Sequence, residues 1–206
     1  MFDLTELQHD ALVEIFNIGV GHAAASMSGI VNEEVTMSVP SISFLNRADA
    51  AALLGNRDGH RICDVSQHYE GAFQTEAILM FPEDKSLEIV RLMVGDSVPL
   101  KELTEMEQEA MSEIGNIILN SCVGTLANIF SQELTGSLPM YHIGTSEEIL
   151  TASGGLADTV VLMLHIDFIL EKHQIHGYVA FILDLTALHD LREQVDRYLA
   201  KVMGSA

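Results

Sequence analysis

The chain has 206 residues, 48% of them hydrophobic, enough to bury a sizeable core without disulfide or metal staples. Thirty acidic residues against ten basic ones give a formal charge of -20, a field that repels phosphate backbones and anionic head groups and argues against nucleic acid or membrane surfaces as partners. Cys63 and Cys122 stand far apart with no C-x-x-C pairing, the N-terminus lacks signal-peptide features, and no apolar run reaches about 18 residues, so a soluble protein of the reducing cytoplasm is expected.

Thr5 and Gln8 have the spacing of a capping box and predict a helix running to about Val31. In the following V-T-M-S-V-P-S-I-S-F, Val35, Met37 and Val39 alternate before Pro40, but Ile42 and Phe44 alternate in the opposite phase after it. A phase change at a proline predicts a strand with a bulge or bend at a sheet edge. A short helix over A-D-A-A-A-L-L-G, strands near 61–68 and 72–81, and a helix from Asp84 to Val94 complete the first half. The second half repeats the plan, with a helix from Thr104 to about Phe130, a strand around Pro139, a short helix at 146–152, and strands near 159–169 and 176–184. Leu188, Leu191, Val195, Leu199 and Val202 mark a closing helix. The fold class is α/β in the loose, α+β sense: a mixed or antiparallel sheet with long helices packed on one face.

Sliding the chain by 99 residues aligns L-T-E-L-Q-H-D-A-L-V-E-I-F-N-I (4–18) with L-T-E-M-E-Q-E-A-M-S-E-I-G-N-I (103–117), with Glu34 on Glu133 and Pro40 on Pro139. The period exceeds that of solenoid repeats, so the expectation is one pseudo-twofold domain spanning 1–206, built of two repeats at about 1–99 and 100–206.

At about 100° per residue, Asp10, Glu14, Asn17 and Gly21 share one side of the first helix, opposite Leu12, Ile15, Phe16, Gly19, Ala23 and Ile30. Glu109, Glu113, Asn116 and Asn120 repeat that stripe opposite Met111, Ile114, Ile118 and Cys122. Glu and Asn are ordinary material for a polar helix face, yet Asn is a mediocre helix former placed twice in a helix interior. The spacing Glu, two residues, Asn, twenty-two residues, Pro holds at 14/17/40 and at 113/116/139. With each type near one residue in twenty, a three-way match at a preset site has a chance on the order of 1 in 10,000.

Other candidates carry less. G-V-G at 19–21 lies within a helical pattern and reads as close helix packing, not a phosphate loop. His165, His173 and His176 with Asp167 fit no standard ligand spacing and read as surface histidines, so no metal site is expected; Cys122 reads as a buried thiol.

The double motif resembles that of the CheC, CheX and FliY phosphatases of bacterial chemotaxis, whose signature is Asp or Ser, three residues, Glu, two residues, Asn, twenty-two residues, Pro. Asp10, Glu14, Asn17 and Pro40 match throughout; Glu113, Asn116 and Pro139 match, but Glu109 stands where the family has Asp or Ser. Two copies in a chain of this length point to the CheC subgroup. The resemblance implies hydrolysis of the phosphoaspartate of a CheY-like response regulator, in which Asn17 and Asn116 orient the attacking water and Glu14 and Glu113 pair with the regulator's Lys. It further implies peripheral docking by Asp10 and Glu109, a structural role for Pro40 and Pro139, and Mg2+ carried by the regulator, with no cofactor of this chain's own. Two rival readings stand beside it: a non-enzymatic regulator-binding module like the FliM middle domain, and an adaptor for the receptor deamidase CheD.

Overall fold

The computed structural model describes residues 4–31, 34–55, 61–71, 74–95, 99–152, 159–170 and 173–204. Helix α1 (Glu6–Val31) opens on the expected capping box: Gln8 Oε1 accepts the Thr5 N–H at 2.8 Å and Thr5 Oγ1 accepts the Gln8 N–H at 3.2 Å. It is followed by β1 (Val35–Leu45), α2 (Arg47–Gly55), the hairpin of β2 (Ile62–Gly71) and β3 (Thr75–Pro82), and α3 (Glu83–Val94). The second half runs α4 (Leu100–Phe130), β4 (Leu134–Gly136), β5 (Met140–Gly144), α5 (Ser146–Ala152), β6 (Val160–Leu170), β7 (His173–Leu183) and α6 (Leu185–Met203).

This is the expected order, with differences at the edges. Helix α4 begins a turn before Thr104, directly after Pro99, whose fixed φ suits a helix entrance. Glu107 is therefore free for tertiary bonds and accepts from Ser86 Oγ and, at 3.0 Å, from Tyr141 Oη. Strand β7 starts three residues earlier than its pattern indicated, and residues 72 and 73 of the expected third strand lie outside the described residues.

All strand pairs are antiparallel, in the order β1-β6-β7-β3-β2, with β4 and β5 both on the far edge of β2. Exchanging the halves leaves that order unchanged. Shifting by 99 turns the pair Phe44–Leu162 of β1–β6 into Ile143–Cys63 of β5–β2, and Met37–Phe168 into Gly136–Tyr69 of β4–β2. The prolines explain why two registers occur on each side. Proline has no N–H to give a ladder, and the register slips by one residue at a bulge between Ser38 and Ser41, as the phase change at Pro40 predicted. At the equivalent place the strand breaks outright into β4 and β5, with Pro139 in the gap.

The larger core lies between one sheet face and α1, α3, α4 and α6, centred on Leu12, Phe16, Phe81, Ile118 and Phe168. The long helices thus share one face, as expected. The reverse face carries a smaller core under the short α2 and α5, built of Ala50, Ile78, Met80, Leu150, Met163 and Ala180. Gly19 packs on α4, where an added Cβ would lie 3.0 Å from Cys122 Cα, so the glycine is a packing residue and not part of a phosphate loop. Burial pushes the Cys63 and Cys122 thiols up to about 12, leaving both inert. Among the described residues no helix is long and apolar enough to cross a membrane.

Candidate functional site

Helix α1 buries Leu12, Ile15, Phe16, Gly19 and Ala23 and turns Asp10, Glu14 and Gly21 outward, with Asn17 half-buried at the boundary. Ile30, on the buried side by the same arithmetic, is 50% exposed: Met27 is the last fully buried residue of α1, and in the final turn Val31 is the residue that packs against the core. Helix α4 buries Met111, Ile114, Ile118 and Cys122 while Glu109, Glu113 and Asn120 are exposed and Asn116 is half-buried. Both helices thus present Glu with Asn one turn later on the outer side. Among the described residues neither Glu14 nor Glu113 has an ion-pair partner, and Asp10 has only His9, 3.7 Å away.

The two asparagines are held differently. Asn17 reaches the bulge: its Oδ1 accepts the Val39 N–H at 2.9 Å, and its Nδ2 donates to Val39 O at 3.3 Å and to Val13 O at 2.9 Å. Val39 is buried at the register slip, so its backbone groups need partners, and Asn17 supplies both. The twenty-two residues between Asn17 and Pro40 acquire a physical meaning here. The proline forces the slip and removes its own N–H, and the carboxamide closes what is left open on the residue before it.

Asn116 makes no such bond to the strand around Pro139. Its Oδ1 accepts from Asn120 Nδ2 at 2.7 Å and from Gln67 Nε2 at 3.2 Å, and Gln67 Nε2 also donates to Ser137 O at 2.8 Å. Tyr69 Oη sits 3.1 Å from Gln67 Oε1 and 3.0 Å from Asn120 Oδ1, its single proton serving one at a time. Burial raises the Tyr69 phenol, which keeps that proton. Among the described residues the Nδ2 of Asn116 has no partner.

Gln67 and Tyr69 come from β2, in the other half of the chain, and the sequence reading missed both. The one available signal was Gln67 itself, a polar residue at the core-facing phase of a strand between Val65 and Tyr69. The equivalent places beside Asn17 are apolar: Ile166 for Gln67, Phe168 for Tyr69 and Gly21 for Asn120. Next to the asparagines, Phe16 stacks on Phe181 with centroids 5.4 Å apart, whereas Gly115 admits Val65 so closely that an added Cβ would lie 2.4 Å from its Cγ1. The second site is therefore polar and tightly seated, the first apolar and bound to the strand.

The fold is that of chemotaxis and flagellar-switch proteins. It resembles Thermotoga maritima FliY with a TM-score of 0.74 at 19% identity, covering 96% of this chain and all of that one. The Helicobacter pylori FliM middle domain gives 0.63 at 9% identity (93% and 99% covered), and the structure of a CheX–CheY–BeF3–Mg2+ complex from Borrelia burgdorferi 0.52 at 16% (84% and 99%). No family model matches the chain. In sequence it is homologous to the CheY-P phosphatase CheC of Bacillus subtilis, 27% identical over 139 residues, and to the flagellar motor switch phosphatase FliY of the same organism, 24% identical over 143. Those alignments span 66% and 68% of this chain but 66% and 37% of the relatives, less than two thirds of either relative's length.

Proposed function

We propose that the chain is one domain of two repeats, about 1–99 and 100–206, that hydrolyses the phosphoaspartate of a CheY-like response regulator. The observation that carries this reading is the duplicated, outward-facing Glu/Asn pair, on a chain homologous to two proteins named as phosphatases. An acyl phosphate is already labile, so little covalent chemistry is needed. Water attacks phosphorus in line, the P–O bond to the aspartyl carboxylate breaks, and inorganic phosphate leaves. The Mg2+ that neutralises the phosphoryl oxygens belongs to the regulator.

Asn116 offers a free Nδ2 donor on a carboxamide whose Oδ1 is already fixed by Gln67 and Asn120, which suits it to donating to the water or to a phosphoryl oxygen and holding the two in line. Asn17 has both amide hydrogens engaged, and the 3.3 Å bond to Val39 O is the longer one and the first to yield. Glu14 and Glu113, exposed and without ion-pair partners among the described residues, pair with the regulator's Lys, and Asp10 and Glu109 extend the docking face. Glu109 is exposed and, among the described residues, makes no bond to Asn116, Gln67, Tyr69 or Asn120, so both sites are assigned activity. The protein acts in the cytoplasm, and a CheD-type deamidase is a further partner proposed from the resemblance alone.

The test is the decay of a phosphorylated CheY-like regulator in Mg2+ with and without the protein. Acceleration that is lost in Asn17→Ala with Asn116→Ala supports the reading. The FliM-like fold favours one alternative, binding without hydrolysis. In that case the protein would associate with the phosphorylated regulator and leave its decay unchanged.

A further inference from the structure

We infer that His165, Asp167 and His176 form a binding site for one divalent transition-metal ion of the Zn2+ type, on the sheet face opposite the Glu/Asn helices. Strand alternation places His165 and Asp167 on the same side of β6, while Leu164, Ile166 and Phe168 between and beyond them point into the larger core. Asp167 lies directly across from His176 on β7, and His165 across from Tyr178. One ligand atom from each of the three residues lies within 4.8 Å of the other two. Tetrahedral Zn2+ with bonds of about 2.1 Å separates its ligands by about 3.4 Å, so the ion closes the group through a side-chain shift of roughly an ångström or so.

Two of the three groups are already constrained. His165 stacks on Tyr178 with centroids 5.2 Å apart and 23° between the rings, and Asp167 Oδ1 lies 2.6 Å from His176 Nδ1. His176 is 57% exposed, so its ring has room to turn once a metal bond replaces its contact with Asp167. Two imidazoles and a carboxylate suit Zn2+, Ni2+ or Cu2+, whereas Mg2+ and Ca2+ take oxygen ligands. His165 and His176 also line a cleft of about 700 Å³ with Arg61, Lys85 and Gln174, which gives the ion an entry path and leaves room for a fourth ligand. His173 is not part of the set, since its Nδ1 lies 2.8 Å from Glu88 Oε1. No linear motif describes the set, because its members come from two strands of a hairpin.

This inference does not depend on the phosphatase reading, and its readout is binding. Chelator-treated full-length chain is titrated with Zn2+ by calorimetry and with Co2+ by visible absorption. Uptake of one equivalent with micromolar or tighter affinity is expected. His176→Ala and Asp167→Asn should each weaken it by at least about tenfold, and His173→Ala should leave it within about twofold. His165→Gln provides a third ligand variant, and circular dichroism without metal checks that each is folded. Absence of saturable uptake, uptake unchanged in folded His176→Ala, or equal loss in His173→Ala, as generic binding by an acidic surface would give, overturns the assignment.

Discussion

Replacing each asparagine by alanine should separate two roles that the repeated motif presents as one. In Asn17→Ala, the buried Val39 loses the partners of both its N–H and its C=O at the point where the ladder has slipped. Each orphaned backbone group costs about 1–3 kcal/mol, and partial entry of water lowers the sum, so a loss of about 2–4 kcal/mol is expected. In Asn116→Ala, no strand group is orphaned. Gln67 Nε2 keeps its bond to Ser137 O and Asn120 is exposed, so about 1 kcal/mol is expected. Urea denaturation midpoints at constant m-value measure the difference directly. Equal destabilisation by the two substitutions, or none from Asn17→Ala, would refute the account of the bulge. The same pair of variants, assayed for regulator dephosphorylation at a temperature where both are folded, should place the larger loss of activity on Asn116→Ala.

Three further outcomes follow from neighbouring features. Asp64 is buried beside His142, whose ring nitrogen is 3.3 Å away; burial pushes the carboxyl from 3.8 up to about 6, with the histidine partly offsetting it. Because the folded value lies above the unfolded one, the fold favours the protonated acid, a contribution present below about pH 4 and lost as pH rises through 6. Relative to the parent, Asp64→Asn should therefore gain up to about 3 kcal/mol between pH 4 and pH 7, and a gap that stays flat with pH in urea titrations would contradict this. Gln67→Met, tested in a Glu14→Ala background that leaves the second site to act alone, should slow dephosphorylation about 3- to 10-fold at near-unchanged regulator affinity, through loosening of Asn116. Gly115→Ala should destabilise by about 1–3 kcal/mol despite alanine's better helix propensity, because its Cβ would meet Val65 at 2.4–2.5 Å; thermal melts would show it.

Local features were legible where local chemistry determines them. The Thr5/Gln8 box, the short helices and the hairpin strands follow from capping and periodicity, and the phase change at Pro40 announced the bulge. The entrance of α4 lies earlier than the repeated plan indicated because Pro99 starts the helix, and Glu107, at the place equivalent to Gln8, bonds to Ser86 and Tyr141. Strand order and the helices on the reverse face were hidden, since periodicity gives a face its polarity and not its neighbour. For the same reason the Glu/Asn stripes were found but Gln67 was not: it reaches Asn116 across 49 residues of chain.

The palindromic sheet bears on where such a molecule began. Among the described strands, β1 pairs only with β6 and the β4/β5 edge only with β2, so each half lends its outer strand to the other. A single-length precursor with one Glu/Asn pair would have left that strand unpartnered, an exposed edge that folded proteins avoid. Two copies meeting about a twofold axis between the Leu79–Val179 and Met80–Tyr178 pairs would have closed both edges at once. A chain that joins two such copies has two sites able to differ, and here Gln67 stands beside one asparagine and Ile166 beside the other.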